Sequence, residues 1–313
     1  MSPDISTKKV SGKAEASIRL PNKIRLQLIA ILFVLPCTIV LVMMMFNPLI
    51  QTVEFSFSKI ILPKFETHFI GIDNFVRVFS RPEVGLVLKN TFVWIIGTVA
   101  LRFFLGFGAA IIMNSDVKGI NVFRLIALLP WTVPSIVAAN TWRWMLQGDF
   151  GLINGFLKEF GMGGLAHNWL GSSSTAIFSV LFAYSWAGYP FVMIMLLAGM
   201  QGIPKELYES GNIDGANAWQ LFWYITVPSL KSVIFIILIL EIISGFNSFD
   251  LLYTMTGGGP GGSSEILGLF IYRLGFTNFD FAGASAVSVV LIFMALLCFL
   301  FYGPSQARKK RMG

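Results

Sequence analysis

Charge is scarce in this chain of 313 residues: Asp, Glu, Lys and Arg make up 12% of it, against roughly 25% in soluble domains. Hydrophobic residues make up 55%, and the mean hydropathy is +0.74. That deficit excludes a soluble globular fold and points to an integral membrane protein with room for roughly six to eight spans of about 20 residues. Histidine is almost missing, with only His68 and His167, both in stretches expected to be outer loops. No Ser-His-Asp, Cys-His or His-Glu-x-x-His arrangement can be assembled, so a hydrolytic or metal centre is not expected. The two cysteines, Cys37 and Cys298, sit inside apolar runs as small packing groups and form no disulfide framework. The glycine-rich run 257–264 superficially looks like a phosphate loop, yet Ser263 stands where the nucleotide-binding lysine would be needed. The chain is therefore not expected to be an enzyme or to hold a cofactor, and any ATP chemistry belongs to a partner. The net charge of +7 bears on orientation in lipid and not on nucleic acid.

What is abundant is apolar sequence in long runs. Stretches at about 26–46, 91–113, 125–146, 175–200, 232–252 and 281–302 are each long enough to cross about 30 Å of hydrocarbon as a helix. They predict an all-α membrane protein of six transmembrane helices (26–302), with a polar tail over 1–25 and a basic tail over 303–313. The first stretch is too long for a signal peptide and is expected to remain as an anchor. Lys and Arg are denser in the amino-terminal tail, near Lys118 and Arg124, at Lys205 and Lys231, and over 308–311 than in the alternate connections. That bias predicts that both termini are cytoplasmic, together with the loop 201–229 between spans four and five. No outer loop is long enough to be a separate domain, and no repeat of fixed period occurs.

The loop 201–229 is a polar island. Pro204 suits a helix start, 205–211 can continue it, and Asp214 is expected to cap a second helix through Ala216, Ala218 and Leu221. Small residues at Ser210, Gly211, Gly215 and Ala216 would let a partner approach closely, and Glu206 and Glu209 offer acceptors to basic groups. The alternative is an amphipathic connector lying on lipid headgroups, although such helices are usually basic on the polar face and this one is acidic.

Two ionisable residues, Arg102 and Glu241, fall near the middles of their spans, where a lone charge costs at least a few kcal/mol. Each lies 12 residues from the outer end of its span, so equal depth permits a pair that is either structural or part of a gate or substrate site. Tyr184, Gly188 and Phe191 share one helical face, with Pro190 loosening the backbone between them. Phe246, Asn247 and Asp250 share another. Aromatic rings offer faces for stacking, and Asn and Asp offer hydrogen bonds, so these six residues are the candidate substrate contacts. An ion-gradient-driven secondary transporter using Glu241 and Asp250 is the alternative reading.

Glu209-Ser210-Gly211, then Gly215, then Ile225-Thr226-Val227-Pro228 resembles the EAA signature of permease subunits in binding-protein-dependent ABC importers. It departs from that signature in Ser210 and Gly211 for two alanines and in Val227 for leucine. The stretches Phe69–Phe75, Trp142–Met145, Gly151–Asn154 and Thr256–Pro260 look like the carbohydrate-uptake branch, nearest to the larger channel subunit of maltose and glycerol-3-phosphate importers. The resemblance implies that the loop forms coupling helices docked on an ATPase, with Glu209 salt-bridged to it and Gly215 permitting the bend. It further implies a second permease subunit in a heterodimer, two ABC ATPase subunits that use ATP and Mg, an extracytoplasmic sugar-binding protein, a sugar as cargo, and a place in the lipid of a bacterial inner membrane.

Overall fold

The computed structural model describes the backbone of residues 22–115 and 117–309 and the side chains of residues 23, 26–115 and 117–297. The tail expectations for 1–21 and 310–313, and the packing of Cys298, lie outside the described residues. The chain divides after Gln51 into two units. Through residue 51 the first unit is helix α1 (Asn22–Ser56), whose apolar side chains from Leu26 to Ile50 are exposed and whose interior holds Pro36 and Pro48.

The second unit opens with a short hairpin, β1 (Ser58–Ile61) paired antiparallel with β2 (Glu66–Phe69). The fold is otherwise helical, as expected, and the hairpin is a small addition to the all-α expectation in a connection read from sequence only as a loop. Then follow α2 (Asp73–Phe79), α3 (Val84–Met113), α4 (Ile120–Thr132), α5 (Ser135–Met145), α6 (Leu152–Glu159) and α7 (Ala176–Gln201). After them come α8 (Lys205–Ile213), α9 (Ala218–Leu221), a π-helical turn (Phe222–Thr226), α10 (Val227–Ser229), α11 (Lys231–Phe246), α12 (Asp250–Thr256), α13 (Leu267–Tyr272), a second π-helical turn (Arg273–Thr277) and α14 (Phe281–Lys309).

Two expected spans are interrupted. The stretch 125–146 bends by 94° between α4 and α5. Pro134 forces the preceding Val133 into extended backbone (φ −80°, ψ 124°), because the proline ring excludes the helical region one residue upstream. The stretch 232–252 likewise stops at Phe246: Asn247 to Phe249 break it, and α12 starts anew at Asp250. Before α11 the chain bends by 66° after Ser229. Of the described helices, three are long and apolar enough to cross a membrane, or five if each bent pair counts as one span.

Helix α3 is the central post. It contributes Trp94 to a cluster with Trp142, Leu181 and Leu252, Phe107 to one with Val192, Leu196 and Ile237, and Val87 to one with Phe270 and Leu274. Its main partner is α7. Lipid is as apolar as these side chains, so close packing and buried hydrogen bonds hold the helices together more than the hydrophobic effect does. Trp94 shows both: its ring is fully buried and its Nε1 donates to Ser248 Oγ at 2.6 Å.

At the head of α14, Asp280 accepts from Arg77 of α2 at 2.6 and 2.9 Å and from Arg81 at 3.0 Å. Burial alone would raise the Asp280 carboxyl. The hydrogen bonds from Arg77 and from the Gly283 amide, with the charges of Arg77 and Arg81, outweigh it and hold the group below the ordinary carboxylate value.

Candidate substrate cavity and coupling loop

Three helices deliver polar side chains to one place. From α3, Arg102 donates through Nη1 to Glu241 Oε2 of α11 at 2.9 Å and through Nη2 to the Tyr184 carbonyl of α7 at 2.9 Å. The Tyr184 ring covers the guanidinium face, with Cζ 3.8 Å from its centroid. The Tyr184 hydroxyl reaches Ser244 Oγ at 2.9 Å, and Arg102 Nη1 lies 3.4 Å from the same oxygen. Side-chain exposure is 7% for Arg102 and 4% for Glu241, so both charges are largely buried and each has the other as its counter-ion. Pairing is what makes both tolerable there. Arg102 Nε is buried without a hydrogen-bond partner, and a β-carbon added at Gly188 would overlap the guanidinium.

This cluster forms one wall of a cavity of about 550 Å³. Tyr184, Gly188 and Phe191 line it together with Arg102 and Glu241. Phe246, Asn247 and Asp250 do not: they lie at the α11–α12 break, with Asn247 and Asp250 exposed and the Asn247 amide turned back to the Ile243 carbonyl at 3.1 Å. The break displaces them because it ends the helical register on which their shared face depended. Sequence reasoning missed Trp131, Val133 and Ser135, which bring the α4–α5 bend to the cavity, with Trp131 6.2 Å from the Phe191 ring. The available signal was Pro130 and Pro134 inside one apolar run. Irregular backbone within a membrane protein is tolerated where it lines a cavity.

The polar island forms a bent pair of helices. Glu206 sits in the first turn of α8, where an acid favours the helix dipole, and Glu209 is exposed. Helix α8 ends in a Schellman motif, with Ala216 N–H to the Gly211 carbonyl at 2.9 Å and Gly215 N–H to the Asn212 carbonyl at 3.1 Å. Gly215 takes φ +79° there, a conformation that glycine adopts without strain. Asp214 is the C-cap of α8 and not the cap of the next helix. That role belongs to Asn217, whose side chain accepts from Gln220 N at 2.9 Å while Gln220 Oε1 accepts from Asn217 N at 2.8 Å. The smallness of Gly211 serves the bend itself: a β-carbon there would stand 2.7 Å from Leu221 Cδ2. Ser210 Oγ donates within α8 to the Leu207 carbonyl, and Ala216 is half-buried. Tyr208 closes the pair through its hydroxyl, 2.9 Å from Thr226 Oγ1. The apolar Ile213 is 86% exposed on α8.

The glycine-rich loop 257–264 is fastened inward. Asn90 of α3 donates to the carbonyls of Gly262 and Glu265, Ser264 Oγ donates to the Gly259 carbonyl, and Glu265 pairs with Arg273.

Residues 102–312 match the family described as binding-protein-dependent transport system inner membrane component. The trehalose/maltose transport system permease protein MalF of Thermococcus litoralis is 37% identical over 271 residues, covering 86% of this chain and 90% of that protein. The chain belongs to this family. It is thus an ABC transporter permease and an inner membrane component. The permease is also 31% identical to the sulfoquinovosyl glycerol transport system permease protein SmoG of Agrobacterium fabrum, over 86% of this chain and 87% of that one. A chain of the bacterial alginate ABC transporter, solved with an alginate pentasaccharide-bound periplasmic protein, superposes with a TM-score of 0.79 at 22% identity, over 93% of this chain and 98% of that one. The permease therefore shares that chain's fold. The secondary-transporter alternative finds no support in this kinship.

Proposed function

We propose that this permease forms half of the pathway of an ATP-driven sugar importer. The observation that carries the reading is the convergence of Arg102, Tyr184, Gly188, Phe191 and Glu241 from three helices on one cavity that combines hydroxyls with aromatic rings. That combination suits a polyol, whose C–H faces stack on rings and whose hydroxyls exchange hydrogen bonds. The named cargoes of relatives, trehalose and maltose for one and sulfoquinovosyl glycerol for another, support it.

In this reading six spans cross the membrane, both termini and the island 201–229 face the cytosol, and a second, non-identical permease completes the channel. An extracytoplasmic sugar-binding protein delivers the cargo. Two ABC ATPase subunits bind ATP and Mg, and this chain performs no catalysis and holds no cofactor of its own. Glu206 and Glu209 meet basic groups of the ATPase, and the exposed Ile213 supplies an apolar anchor. Closure of the ATPase dimer pulls on α8 and α9, and the π-helical turn at Phe222–Thr226 passes the motion to α11, which carries Glu241. Asn247 and Asp250 act at the mouth of the pathway, outside the cavity. Expression of the complete operon, purification through a tag on this chain and sugar uptake into ATP-loaded proteoliposomes test the reading. The expected result is co-purification of two ATPases and one further permease, with uptake that requires ATP. Uptake by this chain alone, driven by an ion gradient, would overturn it.

A further inference from the structure

The cavity wall carries its two charges in a form that has consequences for the cargo. Arg102 and Glu241 are both buried and lie within hydrogen-bonding distance of each other, so the wall is electrically neutral. The guanidinium has little left to offer. Of its five N–H groups, the two of Nη1 go to Glu241 Oε2 and Ser244 Oγ, one of Nη2 goes to the Tyr184 carbonyl, and that of Nε is buried against Gly188 without a partner, while the Tyr184 ring covers one face. Recognition of a carboxylate, sulfonate or phosphate by arginine uses a pair of parallel N–H donors aimed at the anion. That leaves a single N–H, not a parallel pair, open to the cavity, and an anion could gain a pair only by displacing Glu241 or Ser244. The remaining groups on the wall are the hydroxyls of Tyr184, Ser244 and Ser135 and the rings of Trp131 and Phe191.

We infer that this half of the pathway accepts uncharged sugars and rejects anionic ones, and that Glu241 is the specificity-determining residue because it holds Arg102 out of reach. The inference rests on the reading of the permease as a sugar importer and narrows its cargo. Family membership does not decide the matter, since a relative is named for a sulfonated glycoside and a fold neighbour for an acidic polysaccharide. The mechanism is electrostatic: at this depth an anionic cargo beside a neutral wall has no counter-charge, whereas a neutral cargo needs none.

The test uses the complete purified transporter without its binding protein, so that the pathway and not the delivery protein does the selecting. Binding is measured by calorimetry for neutral disaccharides, maltose and trehalose among them, and for counterparts in which one C6 alcohol is oxidised to a carboxylate. The wild type is expected to bind a neutral sugar at least tenfold more tightly than its acid. Glu241→Gln leaves the guanidinium uncompensated and should shrink that ratio at least tenfold or reverse it, and Glu241→Gln with Arg102→Gln should restore the preference for the neutral sugar. Should the single variant fail to assemble, the wild type and the double variant still test whether a neutral wall prefers a neutral sugar. Equal binding of acid and neutral sugar by either neutral-walled protein, or an unchanged ratio in a folded Glu241→Gln, would overturn the inference. ATP-dependent uptake, measured on the same preparations with binding protein added, separates the two failures. Uptake of sugar without any measurable binding to the transporter would overturn this inference and leave the importer standing, while absence of uptake for every sugar would overturn the importer.

Discussion

Gly188 and the Arg102 guanidinium are packed so closely that no β-carbon fits between them, although they belong to different helices. The contact lets α7 lie against α3 at the level of the buried charge, and it fixes where the guanidinium can sit relative to Tyr184 and Glu241.

Replacing Gly188 with Ala should therefore push Arg102 off its partners. Overpacking of this kind costs about 1–3 kcal/mol. Thermal unfolding of the purified complex should show a lower midpoint for Gly188→Ala, and sugar uptake should fall with it. An unchanged midpoint would mean that Arg102 has another comfortable place to go.

The Arg102–Glu241 pair should be strongly coupled. Removing one buried partner alone is expected to cost about 3–5 kcal/mol, because the other charge is left uncompensated. Removing both charges, in Arg102→Gln with Glu241→Gln, should cost clearly less than the sum of the singles. Chemical denaturation of all four proteins closes the cycle, and additive losses would rule out a direct interaction.

If the loop 201–229 docks on an ATPase as proposed, Ile213→Asp and Glu209→Ala should reduce ATPase retention on a tagged permease by tenfold or more without altering its helix content. Ile213 is 86% exposed, so its replacement removes no internal contact of consequence. Gly215→Val should instead strain the αL turn by about 1–2 kcal/mol, since open space surrounds the site but φ is +79°. Circular dichroism and quantitative co-purification distinguish the two effects.

Acid should loosen the link between α2 and α14. The Asp280 carboxyl lies below its ordinary value of 3.8 in the folded chain. A depressed carboxyl contributes stability that is full above the unfolded value and is lost as pH falls through the folded one. The contribution is thus constant at neutral pH and disappears below about pH 4. Arg77→Ala removes the strongest hydrogen-bonding partner and should move that loss toward higher pH. Unfolding midpoints measured between neutral pH and pH 3 for both proteins check it.

The membrane class, the main apolar stretches and the bent helix pair of the polar island were legible because each depends on residues close together in the chain. Hydrophobic runs, the turn at Gly215 and the acidic face of 205–214 need no knowledge of what packs on them. The same local logic explains two misreadings. Asp214 and Asn217 are both good caps, and the choice between them was made by Gln220, which completes the reciprocal box with Asn217. The run 125–146 looked continuous in hydropathy, a measure that does not register the backbone restriction that Pro134 imposes on Val133.

Composition and periodicity thus determined that this chain lives in lipid as helices with one exposed acidic loop, since the absence of water in a bilayer leaves a backbone few other choices. Only the tertiary structure decided that Arg102 meets Glu241 across 139 positions of sequence, that Gly188 opens the space for it, and that Asn247 and Asp250 fall outside the cavity that Trp131 enters. Those outcomes depend on how α3, α7 and α11 rotate about their own axes and where α4 and α11 break, and helix rotation is set by packing among distant residues, which no local pattern records.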